Sequence, residues 1–373
     1  MKVAVIGGGV MGAATGWRLA RRGIDVVVYD RHSPPHGEGS SHGESRIIRT
    51  AYFEGPWYVP LVHEAFALWR ELEATSGNRI LTMTGALMIG DASSEVVVGA
   101  QASAREHGLD ADYLDSAALR RRFPGHVVRD RDVAVLDHQA GVLNPEAAVA
   151  AMLALAPRVD RDTGVTSIAE LRRSFDAVVV AAGPWTPELI GWIPLRVERQ
   201  VHGWFSIARD AEAGNWFGPE RFPAFVRQSR ERGFMYGIPS LDGKTIKVGR
   251  HHDGEITTPQ TIRRKVDDRD LDPLRLLTSI YLRGVSGHAA RTLTCMYTNT
   301  PDNHFVIDFS PDDERVVVIS ACSGHGFKFG PVIGDIAADL VVDGGTRRDI
   351  SHFSVNRFAA TPHVPDGDGR HHQ

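Results

Sequence analysis

A parallel α/β sheet carrying a glycine-rich loop, interleaved with an α+β part built on an antiparallel sheet, is the fold class that this 373-residue sequence predicts. Three observations predict it. A strand–glycine loop–helix–strand unit opens the chain. Two further buried-strand patterns, at residues 175–182 and 316–320, each run into a glycine turn. Aromatic-rich short strands with tight turns fill residues 197–248.

Taken in order, Val3 to Ile6 is an apolar run of the kind that occupies the centre of a parallel sheet. Gly7-Gly8-Gly9-Val10-Met11-Gly12 follows, then a helical stretch over 13–22 ending in basic residues and Gly23. A second apolar run, 26–29, closes on Asp30 and completes a βαβ unit. From 31 to 55 the pattern dissolves into Ser, Gly, Pro and His with three arginines, and long loops inside compact enzymes are usually functional. Leu61, Ala65, Leu68, Trp69 and Leu72 mark an amphipathic helix. Residues 85–89 read as a strand, and 96–108 and 115–123 as helices. Asn144-Pro145 is an N-cap and first-turn pair that opens an alanine-rich buried helix. Gly183-Pro184-Trp185 breaks the 175–182 strand; turns at Arg232-Gly233 and Asp242-Gly243 punctuate the antiparallel region. After the 316–320 strand come a loop over 322–330 and a helix over 332–342. The expected division is a discontinuous nucleotide-binding domain at 1–84, 140–195 and 296–360, a substrate domain at 85–139 and 196–295, and a disordered tail at 361–373.

With 42 basic and 46 acidic residues interspersed and a net charge of −4, no basic stripe exists for nucleic acid. No apolar run reaches the ~20 residues of a membrane span. The two cysteines cannot build a disulfide framework, and no Cys/His cluster has zinc spacing. The chain also opens directly on a strand pattern, without a signal-peptide pattern. The expectation is a soluble, cytoplasmic enzyme with no metal, nucleic acid or membrane partner.

Gly7, Gly9 and Gly12 form G-x-G-x-x-G after a strand and at the start of a helix, where Gly7 permits the turn, Gly9 admits a pyrophosphate and Gly12 lets the helix pack close. The helix N-terminus supplies free N–H groups to phosphate. Asp30 stands at the end of the second strand, where a carboxylate accepts ribose hydroxyls and disfavours a 2′-phosphate. NAD and FAD both satisfy this fingerprint. Gly16 extends it to a pattern more frequent in flavoproteins, and the turns at Gly183 and Gly326 would let more backbone approach a longer cofactor or be ordinary loops.

The block Ser41-His42-Gly43-Glu44-Ser45-Arg46-Ile47-Ile48-Arg49, with Ala51-Tyr52, Glu54-Gly55 and Tyr58 to Leu61, closely resembles the monomeric sarcosine oxidase and N-methyltryptophan oxidase family, FAD enzymes of the D-amino-acid-oxidase type. The resemblance recurs at Tyr236 to Ser240, Lys247 to His251, Cys295 to Thr298, Ser323 to Phe329 and Asp349 to Arg357, and so covers most of the chain in order. It implies an oxidase of a secondary amino acid, N-methyl or cyclic, that forms an imine and reduces O2 to H2O2 as a monomer. By the same resemblance Cys295 carries the flavin as a thioether, a bond that needs a thiolate. Arg46 and His42 lie near the ring with Ser45, and Lys247 on the opposite face assists O2 reduction through its positive charge. Arg49 and Lys328 bind the substrate carboxylate, the arginine by its fork; His251, Tyr236 and Tyr297 line the pocket. Gly324 and Gly326 present backbone to the flavin, with Lys328 close by. Taken singly, each of these residues also has an ordinary reading: a solvated arginine, a surface lysine, an inert buried cysteine.

The sequence departs from the family between 158 and 174, where the one strand-like run is 165–168; a reduced accessory sheet is the expectation. Arg227, Arg230 and Arg232 stand where a pocket-lining strand turns, and an inward arginine would favour a larger or more acidic substrate. Three rivals stay open: oxidation of a ring imino acid such as proline or pipecolate, or of a pathway-specific amine; an NAD-linked dehydrogenase; and a non-catalytic dinucleotide-binding regulator.

Overall fold

The computed structural model describes residues 1–358; the tail expected at 361–373, and the last two residues of the 296–360 segment, lie outside the described residues. A six-stranded sheet forms the first layer, in the order Val306–Ser310, Asp313–Ser320, Ala177–Val180, Lys2–Ile6, Asp25–Tyr29, Arg158–Asp160. All neighbours are parallel except the hairpin of the first two. Its central strands are almost wholly apolar because helices bury one face and a second apolar cluster the other. The helix Val10–Arg21 packs between Pro145–Ala154 and Gly330–Asp343, bringing three distant stretches of sequence onto one face.

A nine-stranded, mostly antiparallel sheet forms the second layer. Its spine is the pairing of Arg196–Ile207 with Val285–Asn299, two strands far longer than the short ones expected from the sequence. Residues 86–137 add Ala86–Asp91, Ala111–Leu114 and Asp132–Asp137 to the edge. A helix, Asp268–Tyr281, backs this sheet with Leu271, Leu274 and Leu277; it starts in an Asp267/Asp270 capping box. No reading of the sequence anticipated it, since Pro273 and a run of charges interrupt its pattern. A third, three-stranded sheet joins Arg46–Ile48, Gly141–Leu143 and Leu81–Met83 between the layers. Among the described residues no helix is long and apolar enough to cross a membrane, and among them no group of His, Cys, Asp or Glu could hold a metal ion.

One expectation needs correction, and one open alternative is decided. Residues 165–168 are not a strand: the segment's strand is Arg158–Asp160, at the edge of the parallel sheet, and Ile168–Leu171 is a turn of helix. Val165 instead contributes its apolar side chain to the wall of the main cavity. Arg227 does point inward, but away from that cavity. Its fully buried guanidinium pairs with the equally buried Asp132, donates to Val127 O at 3.0 Å and lies 4.1 Å over the Tyr281 ring. Alternation along the strand sends Val226, not Arg227, to the cavity. Arg230 and Arg232 are exposed.

Breaking a buried ion pair leaves an uncompensated charge, which costs about 3–5 kcal/mol. Asp132→Ala is therefore expected to lower the urea midpoint and the melting temperature sharply, whereas Asp130→Ala, at an exposed carboxylate nearby, should leave both within about 0.5 kcal/mol of wild type.

Candidate active site

One long cavity runs between the layers, from the glycine loop and Asp30 to the strand that carries Cys295. At its outer end Gly7 has φ +103°, a left-handed conformation, and a Cβ there would lie 2.4 Å from Ala181 O. At Gly12 a Cβ would lie 1.8 Å from Gly7 O, so the helix can start this close to the turn only without a side chain. Ser41 Oγ accepts from Val10 N at 3.0 Å, an N-terminal partner contributed from the loop 31 residues away. Asp30 accepts from Gly8 N at 2.6 Å and His32 N at 2.8 Å, with His36 Nε2 at 3.3 Å. Burial opposes its charge, but these donors hold its carboxyl below the usual carboxylate range. Gly7, Gly9, Asp30 and Gly183 all line this end of the cavity.

At the inner end, cationic groups surround the buried Cys295. Arg46 donates to Ser45 O at 2.9 Å, Ser40 O at 3.0 Å, His42 O and Cys295 Sγ at 3.6 Å. Lys247, 3% exposed, donates to Gly43 O at 2.7 Å and Ser45 O at 3.0 Å. It is thus a buried wall residue and not a solvent-facing strand lysine. Burial strongly lowers its pKa, and Arg46 lowers it further. Burial pushes the Cys295 thiol up, but His42, Arg46 and Lys247 outweigh it and bring the thiol down to about 7. A substantial thiolate fraction at neutral pH follows. Cys322 also touches the cavity, but burial raises its thiol pKa.

A third group faces the cavity beyond them. Arg49 is 3% exposed; its Nη2 alone donates to both oxygens of Glu54, at 2.7 and 2.5 Å, its Nη1 donates to Ala51 O at 3.2 Å, and the guanidinium rests 4.2–4.3 Å from the Tyr52 and Phe53 rings. Burial raises the Glu54 pKa, but Arg49, His325 and Lys328 outweigh it and hold the carboxyl at about 2, so the pair is fully ionised. Lys328 donates to His325 O at 2.6 Å; burial and the charge of Arg49 bring its pKa down to about 7. His251 Nδ1 and Tyr297 OH are 3.3 Å apart, and a Cβ on Gly324 would meet both rings at 2.6–2.7 Å. The Tyr236 hydroxyl packs against Gly249, and burial raises its pKa.

Of the residues expected from the sequence, Ser45, Arg46, Arg49, Tyr236, Lys247, His251, Cys295, Tyr297, Gly324, Gly326 and Lys328 all line this one cavity. Gly12 and His42 do not; Gly12 sits behind the turn, and buried His42 bonds Gly39 O at 3.0 Å. Four contributors were missed. His202 lines the cavity, is 2% exposed and has a buried Nδ1 without a hydrogen-bond partner. Glu54 accepts from Arg49 Nη2 with both carboxylate oxygens. Asp137, fully buried, accepts from the amides of Thr50 and Ala51 at 2.5 and 2.9 Å and fixes the loop beside Arg49. Glu146 accepts from Gly43 N at 2.6 Å and Glu44 N at 3.1 Å. Only Glu54 lay within a block singled out in the sequence. The others act across 87–103 residues of chain or, for His202, from a strand position that alternation alone does not distinguish.

The donors present fit FAD. Glycine amides and Asp30 suit the adenosine and pyrophosphate, and a continuous cavity reaches a cysteine whose thiol is primed to ionise among fixed cations. The family model described as FAD dependent oxidoreductase matches residues 2–340. Monomeric sarcosine oxidase of Streptomyces avermitilis is 37% identical over 96% of this chain and 98% of its own length. N-methyl-L-tryptophan oxidase of Yersinia pestis is 34% identical over 95% and 98%. Among solved structures, NikD, described as an unusual amino acid oxidase essential for nikkomycin biosynthesis, superposes with a TM-score of 0.79 at 25% identity, over 95% of this chain and 96% of its own. L-proline dehydrogenase from P. horikoshii shares the fold with a TM-score of 0.78 at 19% identity, over 96% and 97%. These matches set aside the NAD-linked reading, and the chain belongs to the FAD-dependent oxidoreductase family that includes monomeric sarcosine oxidase and N-methyl-L-tryptophan oxidase.

Proposed function

We propose that this protein is an oxidase of a secondary amino acid, N-methyl or cyclic, converting CH–NH to an imine that water then hydrolyses, with O2 reduced to H2O2. The observation that carries the reading is the placement on one cavity of two cationic groups: Arg49 with Lys328, and Arg46 with Lys247 around Cys295. Relatives named as oxidases of sarcosine and N-methyl-L-tryptophan support the substrate class. When bound, the FAD accepts the hydride equivalent from the carbon next to nitrogen and passes the electrons to O2.

The chain supplies everything else. Arg49 and Lys328 hold the substrate carboxylate, which must compete for a guanidinium whose Nη2 now serves Glu54 and whose Nη1 serves Ala51 O. The surplus of buried cations disfavours a protonated amine, so the substrate is bound with its nitrogen lone pair free. His251, Tyr297 and Tyr236 close the pocket around the nitrogen substituents and exclude water. Arg46 and Lys247, both beside Cys295 on the cavity wall, would stabilise negative charge gained by the flavin ring and reduced oxygen respectively. Cys295, on the strand Val285–Asn299, would hold the cofactor covalently through sulfur. The matches with enzymes named monomeric and the two unpaired cysteines support a monomer working in a reducing cytoplasm.

Cys295→Ala is expected to leave a flavin that acid precipitation removes to the supernatant; yellow colour retained in the pellet overturns the attachment. Lys247→Met should slow the oxygen-dependent half of turnover by about 100-fold or more, and the anaerobic substrate-dependent half far less, in stopped-flow absorbance. Equal loss in both halves counts against its role. A peroxide screen over N-methyl, cyclic and aromatic amino acids tests the function itself, and silence across all three classes rejects it.

A further inference from the structure

Behind the two cations assigned to the substrate carboxylate lies a buried hydrogen-bonded chain that no part of the proposed chemistry uses. Tyr52 is fully buried and touches both cations: the Arg49 guanidinium rests 4.3 Å from its ring, and Lys328 Nζ lies 3.4 Å from its hydroxyl. The hydroxyl is 2.5 Å from His325 Nδ1, and His325 Nε2 is 3.0 Å from Asn303 O.

The directions of these bonds are forced. A carbonyl only accepts, so His325 Nε2 carries hydrogen and donates to Asn303 O. Burial keeps the ring neutral, with its pKa down to about 3, so Nδ1 is a bare acceptor. The single Tyr52 proton therefore goes to His325, and the hydroxyl turns its lone pairs toward Lys328. Two of the three Lys328 N–H donors are taken, by His325 O and Tyr52 OH, and among the described residues the third is left for a ligand. Phe305 stacks on the His325 ring at 4.7 Å and Tyr58 meets it edge-on at 5.4 Å, so the imidazole cannot turn freely.

We propose that Tyr52 and His325 are positioning residues for carboxylate recognition: the Asn303 carbonyl sets the His325 tautomer, His325 sets the direction of the Tyr52 hydroxyl, and that hydroxyl aims and stabilises the Lys328 ammonium. The proposal rests on the assignment of Arg49 and Lys328 as carboxylate ligands. The charged and titratable groups facing Lys328 are Arg49, Glu54, Tyr52 and His325. Removing the hydroxyl takes away an acceptor from the charged lysine and so lowers its pKa below its present value near 7.

The test is calorimetric binding of acetate, a bare carboxylate that cannot be oxidised, to the holoenzyme between pH 6 and 9. In wild type, affinity should fall as pH rises through about 7, where Lys328 loses its proton. Tyr52→Phe and His325→Leu should each weaken binding about tenfold at pH 7, and Tyr52→Phe should also move the fall to lower pH. His325→Gln keeps a donor for Asn303 O and an acceptor for Tyr52, and should bind within about threefold of wild type. Lys328→Met separates the two levels of inference. If it leaves acetate binding unchanged, the carboxylate assignment fails, and this proposal with it. If it weakens binding while Tyr52→Phe binds with wild-type affinity and pH dependence, the assignment stands and this proposal is overturned. Equal loss in His325→Gln and His325→Leu also overturns it. Should His325→Leu not fold, Tyr52→Phe alone decides.

Discussion

The inner end of the cavity depends on main-chain carbonyls of residues 40–45 being turned toward buried positive charge. Arg46 takes the oxygens of Ser40, His42 and Ser45, and Lys247 those of Gly43 and Ser45. Without these acceptors the cations could not be desolvated so deeply. The loop reaches this shape through two consecutive left-handed residues, Gly43 at φ +104° and Glu44 at φ +66°. Glu146, in the first turn of the helix Pro145–Ala154, ties down their amides. Peptide groups whose N–H ends are held by a carboxylate present their C=O ends to ammonium and guanidinium. The depressed thiol pKa of Cys295 is a downstream result of that one arrangement.

The same economy recurs beside the second pair of cations. Asp137 collects the amides of Thr50 and Ala51, so the chain leaving Arg49 is fixed by a carboxylate from the other sheet. Buried Arg49 forms an ion pair with the largely covered Glu54 carboxylate, which lowers the cost of holding a guanidinium away from water. Both loops that carry the cavity arginines are thus fixed by a carboxylate, Glu146 or Asp137, that does not line the cavity.

Legibility in the sequence followed the range of the interactions. The glycine loop, its helix and Asp30 are close in sequence and could be read from spacing alone. The alanine-rich helix announced itself through Asn144, whose side chain accepts from Ala147 N at 3.0 Å. Arg46, Lys247 and Cys295 were visible only through resemblance, because a lone arginine, lysine or cysteine has no periodic signature. His202, Asp137 and Glu146 were not legible at all: their partners come from other elements, and sequence pattern carries no register between them. The three-residue strands of the middle sheet were too short to show alternation. The side taken by Arg227 stayed open for a related reason, since which face of its strand meets the cavity is set by pairing with Ala86–Asp91.

The strand order of the parallel sheet also governs when the protein can become itself during synthesis. Lys2–Ile6 finds one neighbour at once, but the other is Ala177–Val180, and the Lys2 amide meets Asp176 across 174 residues. The next strand along the sheet, Asp313–Ser320, comes much later still in the chain, followed by Ala321 to Lys328 on the cavity wall. Until those residues are made, a growing chain carries an apolar first strand and a glycine turn without a finished pocket behind them. Cofactor capture has to wait until all of these stretches are available.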